Sequence, residues 1–236
     1  MSQSKSHSPI LAITFDAAGT LIHLAEPVGV SYARVAAEHG IESTPDDLGK
    51  AFGSVWKRTP LPFAHPNRAT DTDEKSWWRR LVREVFEEAG ATLPDEERFD
   101  TFFEALYLHF ESPGTWLADP GAVSTLEQLS SRYRCIVLSN FDGRLRRILD
   151  DLGLLNFFET CLLSCELGAS KPDPAVFRAA AKWLQLAPHQ ILHVGDDPLC
   201  DGEGARAAGF AHFRVEKGRN ELGKILDVFH LHDPNS

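Results

Sequence analysis

The chain of 236 residues contains no apolar run approaching the ~18 residues that a membrane-spanning helix requires. Its opening stretch, Met1 to Ser8, has no apolar core of the kind a secretory signal carries, and it reads as a short polar tail. Cysteine is scarce: Cys135, Cys161, Cys165 and Cys200 form no Cys-x-x-Cys pair. That argues against a disulfide framework or a zinc site and for free thiols in a reducing cytoplasm. Positive charge is in deficit, with 24 Lys and Arg against 34 Asp and Glu and a formal net charge of −10. A nucleic-acid partner is therefore not expected, because phosphate contacts need clustered cations. The short basic clusters Arg79-Arg80 and Arg144 to Arg147 lie on expected helices and read as solvated faces. Internal repeats and low-complexity segments are also lacking.

Five apolar runs are present: Ile10 to Phe15, Cys135 to Leu138, Cys161 to Ser164, Ile191 to Val194 and Ala211 to Val215. They are continuous rather than alternating, as parallel strands covered on both faces are. Helical patterns separate the later ones, at Asp142 to Leu152, at Asp173 to Leu184 after a proline, and at Gly202 to Ala208 before Gly209. Asp142 suits a helix N-cap. Alternating strands and helices predict an α/β fold, a Rossmann-like doubly wound parallel sheet. Residues 23–113 differ, because no strand run appears there. Helical periods recur instead, through Val30 to Ala37, Trp77 to Phe86 and Phe99 to Phe110, so a helical insert is expected between the first strand and the rest. Thr59 to Thr72, with three prolines, is expected to be a loop within it. The expected division is a core of 1–22 and 114–236 and a helical insert of 23–113.

The chemistry concentrates where strands end. Ile13-Thr14-Phe15-Asp16 runs an apolar strand into a carboxylate, then into Ala17-Ala18-Gly19-Thr20. Open α/β sheets place their sites at the carboxyl ends of strands, so Asp16 is the candidate nucleophile. Downstream come Leu138-Ser139-Asn140, Lys171-Pro172-Asp173-Pro174 and Val194-Gly195-Asp196-Asp197 followed by Asp201. Gly202-Glu203-Gly204 with Gly209 imitates part of a dinucleotide fingerprint, but the spacing is wrong, and it reads as the start and stop of a helix.

In that order these segments resemble the four motifs of the haloacid dehalogenase-like (HAD) hydrolase superfamily. Segments Pro27 to Ile41, Ser76 to Trp78, Thr115-Trp116, Leu138 to Asp142 and Lys171 to Pro174 resemble its rhythmically-expressed-gene-2-like branch. The resemblance implies an α-helical C1 cap and hydrolysis of a small phosphorylated molecule. It implies Asp16 as nucleophile, Lys171 as motif III base, and Gly19, Ser139 and Asn140 at the substrate. It further implies Mg²⁺ held by Asp16, the Ala18 carbonyl and Asp196, with Asp201 or Asp197 in direct or outer contact. Ala18 is a departure, because phosphatases of this superfamily carry a second Asp there that protonates the leaving oxygen, and such help is worth ~10²–10⁴-fold. His23, Asp142 and Asp197 are the nearby candidates to replace it. Three other readings therefore stay open: a catalytically impaired metal- or ligand-binding protein, a 2-haloacid dehalogenase, whose motif I resembles Asp16 to Thr20, and a phosphonoacetaldehyde hydrolase, which would need a cap lysine such as Lys50, Lys57 or Lys75.

Overall fold

The computed structural model describes residues 9–62, 74–216 and 222–230, and side chains as far as residue 227. The expected Thr59 to Thr72 loop thus lies mostly outside the described residues, and Met1 to Ser8 lies wholly outside them. By compactness the chain divides into two units, one of residues up to His23 together with Ala118 onward, and one of Leu24–Leu117. Among the described residues no helix is long and apolar enough to cross a membrane.

The first unit is built on five parallel strands: β1 (Ala12–Phe15), β4 (Arg134–Ser139), β5 (Cys161–Leu163), β6 (Ile191–Gly195) and β7 (Ala211–Arg214). These are the five expected runs, with β1, β5 and β7 shorter by one or two residues and β4 and β6 longer by a residue at one or both ends. Their order across the sheet is β5-β4-β1-β6-β7. β1 is therefore central. The chain adds β4 and β5 on one side of it, then returns to add β6 and β7 on the other. The order reverses at the carboxyl ends of β4, β1 and β6, and a crevice forms where such a reversal occurs. Strand β1 is buried throughout, which explains its lack of polar alternation. Helix α8 (Pro174–Leu184) and α9 (Gly204–Ala207) close one face, with Val176, Phe177, Ala180 and Ala205 packed on Ala12, Ile136 and Ile191. Helices α5 (Ala122–Ser130), α6 (Arg144–Asp151), α7 (Ser164–Leu167) and α10 (Ile225–His230) complete the unit.

The second unit is helical: α1 (Val28–Glu38), α2 (Pro45–Arg58), α3 (Glu74–Glu88) and α4 (Glu96–His109). Its core is aromatic, with Phe86 at 0% exposure stacked on Tyr32 at 6.0 Å and edge-on to Phe102 at 5.1 Å. Helix α2 was not among the expected periods. Its start is nonetheless written in sequence: Thr44 accepts from the Asp47 N–H, Pro45 occupies the first turn, and Leu48, Ala51 and Val55 form the buried stripe. The expected absence of strand in residues 23–113 is corrected at its first edge by β2 (Ile22–Leu24), which pairs with β3 (Trp116–Ala118). Three-residue strands are too short to leave a periodic signal. A second correction concerns Asp142. The N-cap of α6 is Gly143, while Asp142 accepts from the Arg144 N–H at 3.0 Å and pairs with the Arg144 guanidinium at 2.6 Å.

Candidate active site

Asp16 follows β1 directly, and its backbone N–H bonds to Val194 of β6 at 2.8 Å, so the sheet itself fixes where the carboxylate starts. Ser139 ends β4, and its hydroxyl donates to Asp16 Oδ1 at 3.0 Å. Lys171 precedes α8, and its Nζ lies 2.7 Å from Asp16 Oδ1 and 2.6 Å from Asp201 Oδ1. Both donors meet Asp16 on Oδ1, and among the described residues none reaches Oδ2. Lys171 is 1% exposed, an environment in which an ammonium survives only with paired carboxylates.

Asp16, Asp196 and Asp201 each offer a carboxylate oxygen, all within 4.8 Å of one another. Oxygen donors alone, two of the three side chains buried, form a set suited to a hard divalent cation that completes its shell with water and substrate. Gly19 makes the approach of Asp196 possible. Its φ is +99°, and a Cβ there would lie 2.6 Å from Asp196 Oδ2. Thr20 then donates to Asp196 Oδ1 at 3.3 Å.

Burial pushes the Asp16 carboxyl above its ordinary pKa, with Asp201 and Asp196 adding to the effect and Lys171 opposing it. Burial alone would lower Lys171, but the charges of Asp16 and Asp201 outweigh it and hold the ammonium above its usual range. Asp201 is held well below the carboxylate range, because Lys171 and His193 overcome its desolvation. The lysine is thus a fixed cation at neutral pH, and a cation added to the cluster would favour ionised Asp16.

Not every expected residue joins this cluster. Asn140 faces the backbone of Lys171, its amide donating to the carbonyl at 2.9 Å and its oxygen accepting from the N–H at 2.7 Å. It anchors the lysine loop to the end of β4. Asp197 is exposed and lies outside the three-acid group, with Oδ1 accepting from Leu199 N at 2.8 Å and Cys200 N at 2.7 Å. That cap starts a helical turn at Pro198, four residues before the expected start at Gly202. Of the residues considered as substitutes for the missing acid, His23 is paired to Asp119 at 3.3 Å and Asp142 to Arg144 at 2.6 Å, so both already have partners. Lys50 and Lys57 are exposed on α2, and Lys75 pairs with Glu104 at 2.7 Å; none sits in the buried environment that would make it a Schiff-base lysine. His193, by contrast, drew no attention within the apolar run Ile191 to Val194, yet it touches Asp201 at 3.0 Å. A histidine inside an otherwise aliphatic strand was the available signal. The four cysteines are free, with Cys135 and Cys161 buried.

Residues 10–209 match the family model described as haloacid dehalogenase-like hydrolase. The chain is similar to haloacid dehalogenase-like hydrolase domain-containing protein 3 of Bos taurus, 37% identical over 204 residues that cover 86% of this chain and 80% of that protein. It is similar to Rhythmically expressed gene 2 protein of Drosophila melanogaster, 30% identical over 218 residues, covering 87% of this chain and 83% of that one. The solved structure of L-2-haloacid dehalogenase from Xanthobacter autotrophicus matches with a TM-score of 0.68 at 21% identity, over 87% of this chain and 77% of that one, a likeness of fold. The matched span holds β1 through α9 with Asp16, Ser139, Lys171, Asp196 and Asp201, and the chain belongs to the haloacid dehalogenase-like hydrolases.

Proposed function

We propose that this hydrolase is a Mg²⁺-dependent, phosphatase-type enzyme that acts on a small phosphorylated molecule through Asp16, in a cytoplasmic setting. The observation that carries the reading is the convergence of Asp16, Asp196 and Asp201 within 4.8 Å around a buried lysine. Three carboxylates would repel one another at the end of β1 unless Lys171 and a cation neutralise them. Asp16, the Ala18 carbonyl and Asp196 would hold Mg²⁺, with Asp201 behind them. When bound, Mg²⁺ supplies charge neutralisation of the phosphoryl oxygens.

The chain's own groups supply the rest. Lys171 and Ser139 hold Asp16 Oδ1, which leaves Oδ2 as the attacking oxygen. Oδ2 forms a bond to phosphorus as the bond to the leaving alcohol oxygen breaks, which gives an aspartyl-phosphate. Ala18 has no proton to give, so the leaving oxygen takes its proton from water. A second water then cleaves the acyl phosphate, which frees inorganic phosphate and restores the Asp16 carboxylate. Esters with good leaving groups are the substrates this site handles best.

Ala18 itself favours a second reading, 2-haloacid dehalogenation, in which Asp16 displaces halide and no second acid is needed. The two separate by metal. A screen of phosphate esters and 2-haloacids should show ester hydrolysis with Mg²⁺ that EDTA abolishes. Halide release that persists in EDTA would replace the phosphatase reading with the dehalogenase one. In either case Asp16→Asn should remove turnover while the fold is kept, and wild-type rates in that variant would exclude Asp16 as the nucleophile.

A further inference from the structure

His193 is fully buried at 0% exposure, in a strand whose other members are Ile, Leu, Val and Gly. A buried imidazole is tolerated only where its nitrogens find partners, and here both do. In the parallel register of β1 and β6, His193 lies directly opposite Thr14, two residues before Asp16. The Thr14 hydroxyl is 2.7 Å from His193 Nδ1. On the other side of the ring, Nε2 is 3.0 Å from Asp201 Oδ1. Phe177 of α8 stands edge-on against the imidazole, with ring centroids 5.2 Å apart at 89°.

These partners place one proton of the ring. An ionised Asp201 only accepts hydrogen bonds, so Nε2 must carry a proton. Nδ1 meets the Thr14 hydroxyl, a group able to pair with it in either direction. The ring thus bridges Thr14, at Nδ1, to Asp201 Oδ1, through Nε2–H. Asp201 in turn receives three donors. Lys171 Nζ and His193 Nε2–H share Oδ1, and the Asp197 backbone N–H takes Oδ2 at 3.0 Å. Without His193, the carboxylate would keep one backbone donor and the lysine it is meant to orient. With it, Asp201 Oδ1 is held by a second donor beside Lys171, whose ammonium also reaches Asp16 Oδ1.

We propose that His193 is a positioning residue: with Nε2–H on Asp201 and Nδ1 braced by Thr14, it locks Asp201 as the counter-charge of Lys171, and so sets the ammonium on Asp16. It acts through Asp201 and touches no reacting atom. For its turnover arm only, the inference rests on the hydrolase reading.

Two measurements test it. The first is ¹⁵N spectroscopy of the full chain labelled at histidine, with Mg²⁺ present. At neutral pH the His193 signals should show a protonated Nε2, and Thr14→Val should move the Nδ1 resonance more than the Nε2 one. A bare Nε2 would overturn the proposal. The second is hydrolysis of p-nitrophenyl phosphate. His193→Phe should lower kcat by about 10–100-fold, the usual cost of losing a group that orients a site, with KM little changed. His193→Gln, whose amide N–H can reach the same carboxylate, should recover most of that loss. Equal losses in the two variants, or a loss confined to KM, would overturn it. If His193→Phe does not fold, the wild-type spectra and His193→Gln still decide. If the wild-type protein hydrolyses no ester, the phosphatase reading fails and the ¹⁵N measurement judges this inference on its own.

Discussion

At the scale of single residues, the proposed chemistry turns as much on what Ala18 omits as on what Asp16 offers. Ala18 is half-buried, so a longer side chain has an outlet there. Ala18→Asp should raise turnover of an ester with a poor leaving group by up to ~10²-fold, within the usual worth of a positioned acid. An activated aryl ester should gain less, because its leaving group departs with little protonation. Paired kinetics on the two esters, with Mg²⁺ saturation verified, measure this. No gain on either, with fold and metal affinity intact, would show that the site is not a phosphatase lacking only its acid. Beside it, Gly19 does a different job: a side chain there would occupy the space of the Asp196 carboxylate. On the proposed reading one residue limits the chemistry, while its neighbour leaves room for the acid cluster.

At the scale of elements, strands deliver the reacting groups and helix starts hold them in place. Asp16, Ser139 and Asp196 lie at or just past the ends of β1, β4 and β6, and Lys171 is tied back to β4 by both polar atoms of Asn140. The turn after β6 separates a capping acid from a candidate ligand. Asp196 and Asp197 are neighbours with the same side chain, but Asp197 Oδ1 is occupied by two backbone N–H groups of the turn that begins at Pro198. Asp197→Ala should therefore cost about 1 kcal/mol of stability, as lost N-caps do, and leave the Mg²⁺ response intact. Asp196→Ala should abolish that response. Thermal melts with and without millimolar Mg²⁺ check both. For the wild type, a cation at ~100 times its Kd adds ~2.7 kcal/mol of stability. A melt of Asp197→Ala that had lost its Mg²⁺ response would make Asp197 a ligand after all.

At the scale of the whole molecule, stability should depend on pH through histidines kept neutral. Burial lowers the pKa of His109, aided by the charge of Arg34. Burial likewise lowers His193, against the pull of Asp201. In the unfolded chain both return to an ordinary value of about 6.5. Between the depressed folded values and about 6.5, the unfolded chain binds more protons, so stability rises with pH. The contribution is complete above about 6.5 and is lost as pH falls through the folded values. Melting temperatures in EDTA should drop steadily from pH 7.5 to 5.5, and His109→Gln should flatten that slope. A flat profile in the wild-type protein would mean that these histidines titrate as they do in water.

Local pattern along the chain suffices for the α/β class, the five core strands and the singling out of Asp16, Ser139, Lys171, Asp196 and Asp201 as chemical candidates. All are local: a buried parallel strand must be continuously apolar, and a carboxylate at its end stands out against that run. Helix α2 is also legible locally, from Thr44-Pro45 and the spacing of Leu48, Ala51 and Val55. The strand order was not legible, because nothing in β1 states that β4 and β6 will flank it. From that order follows the contact across the sheet of Thr14 with His193, 179 positions apart, and the loop before α8 brings Lys171 to Asp16, 155 positions apart. The different uses of Asp196, Asp197 and Asp201, and the turning of Asn140 toward the lysine loop, were decided there too. Composition and spacing name the groups that can react. Only the packing of distant strands decides which donor meets which acceptor, and therefore which of these carboxylates is left to bind, to orient or to attack.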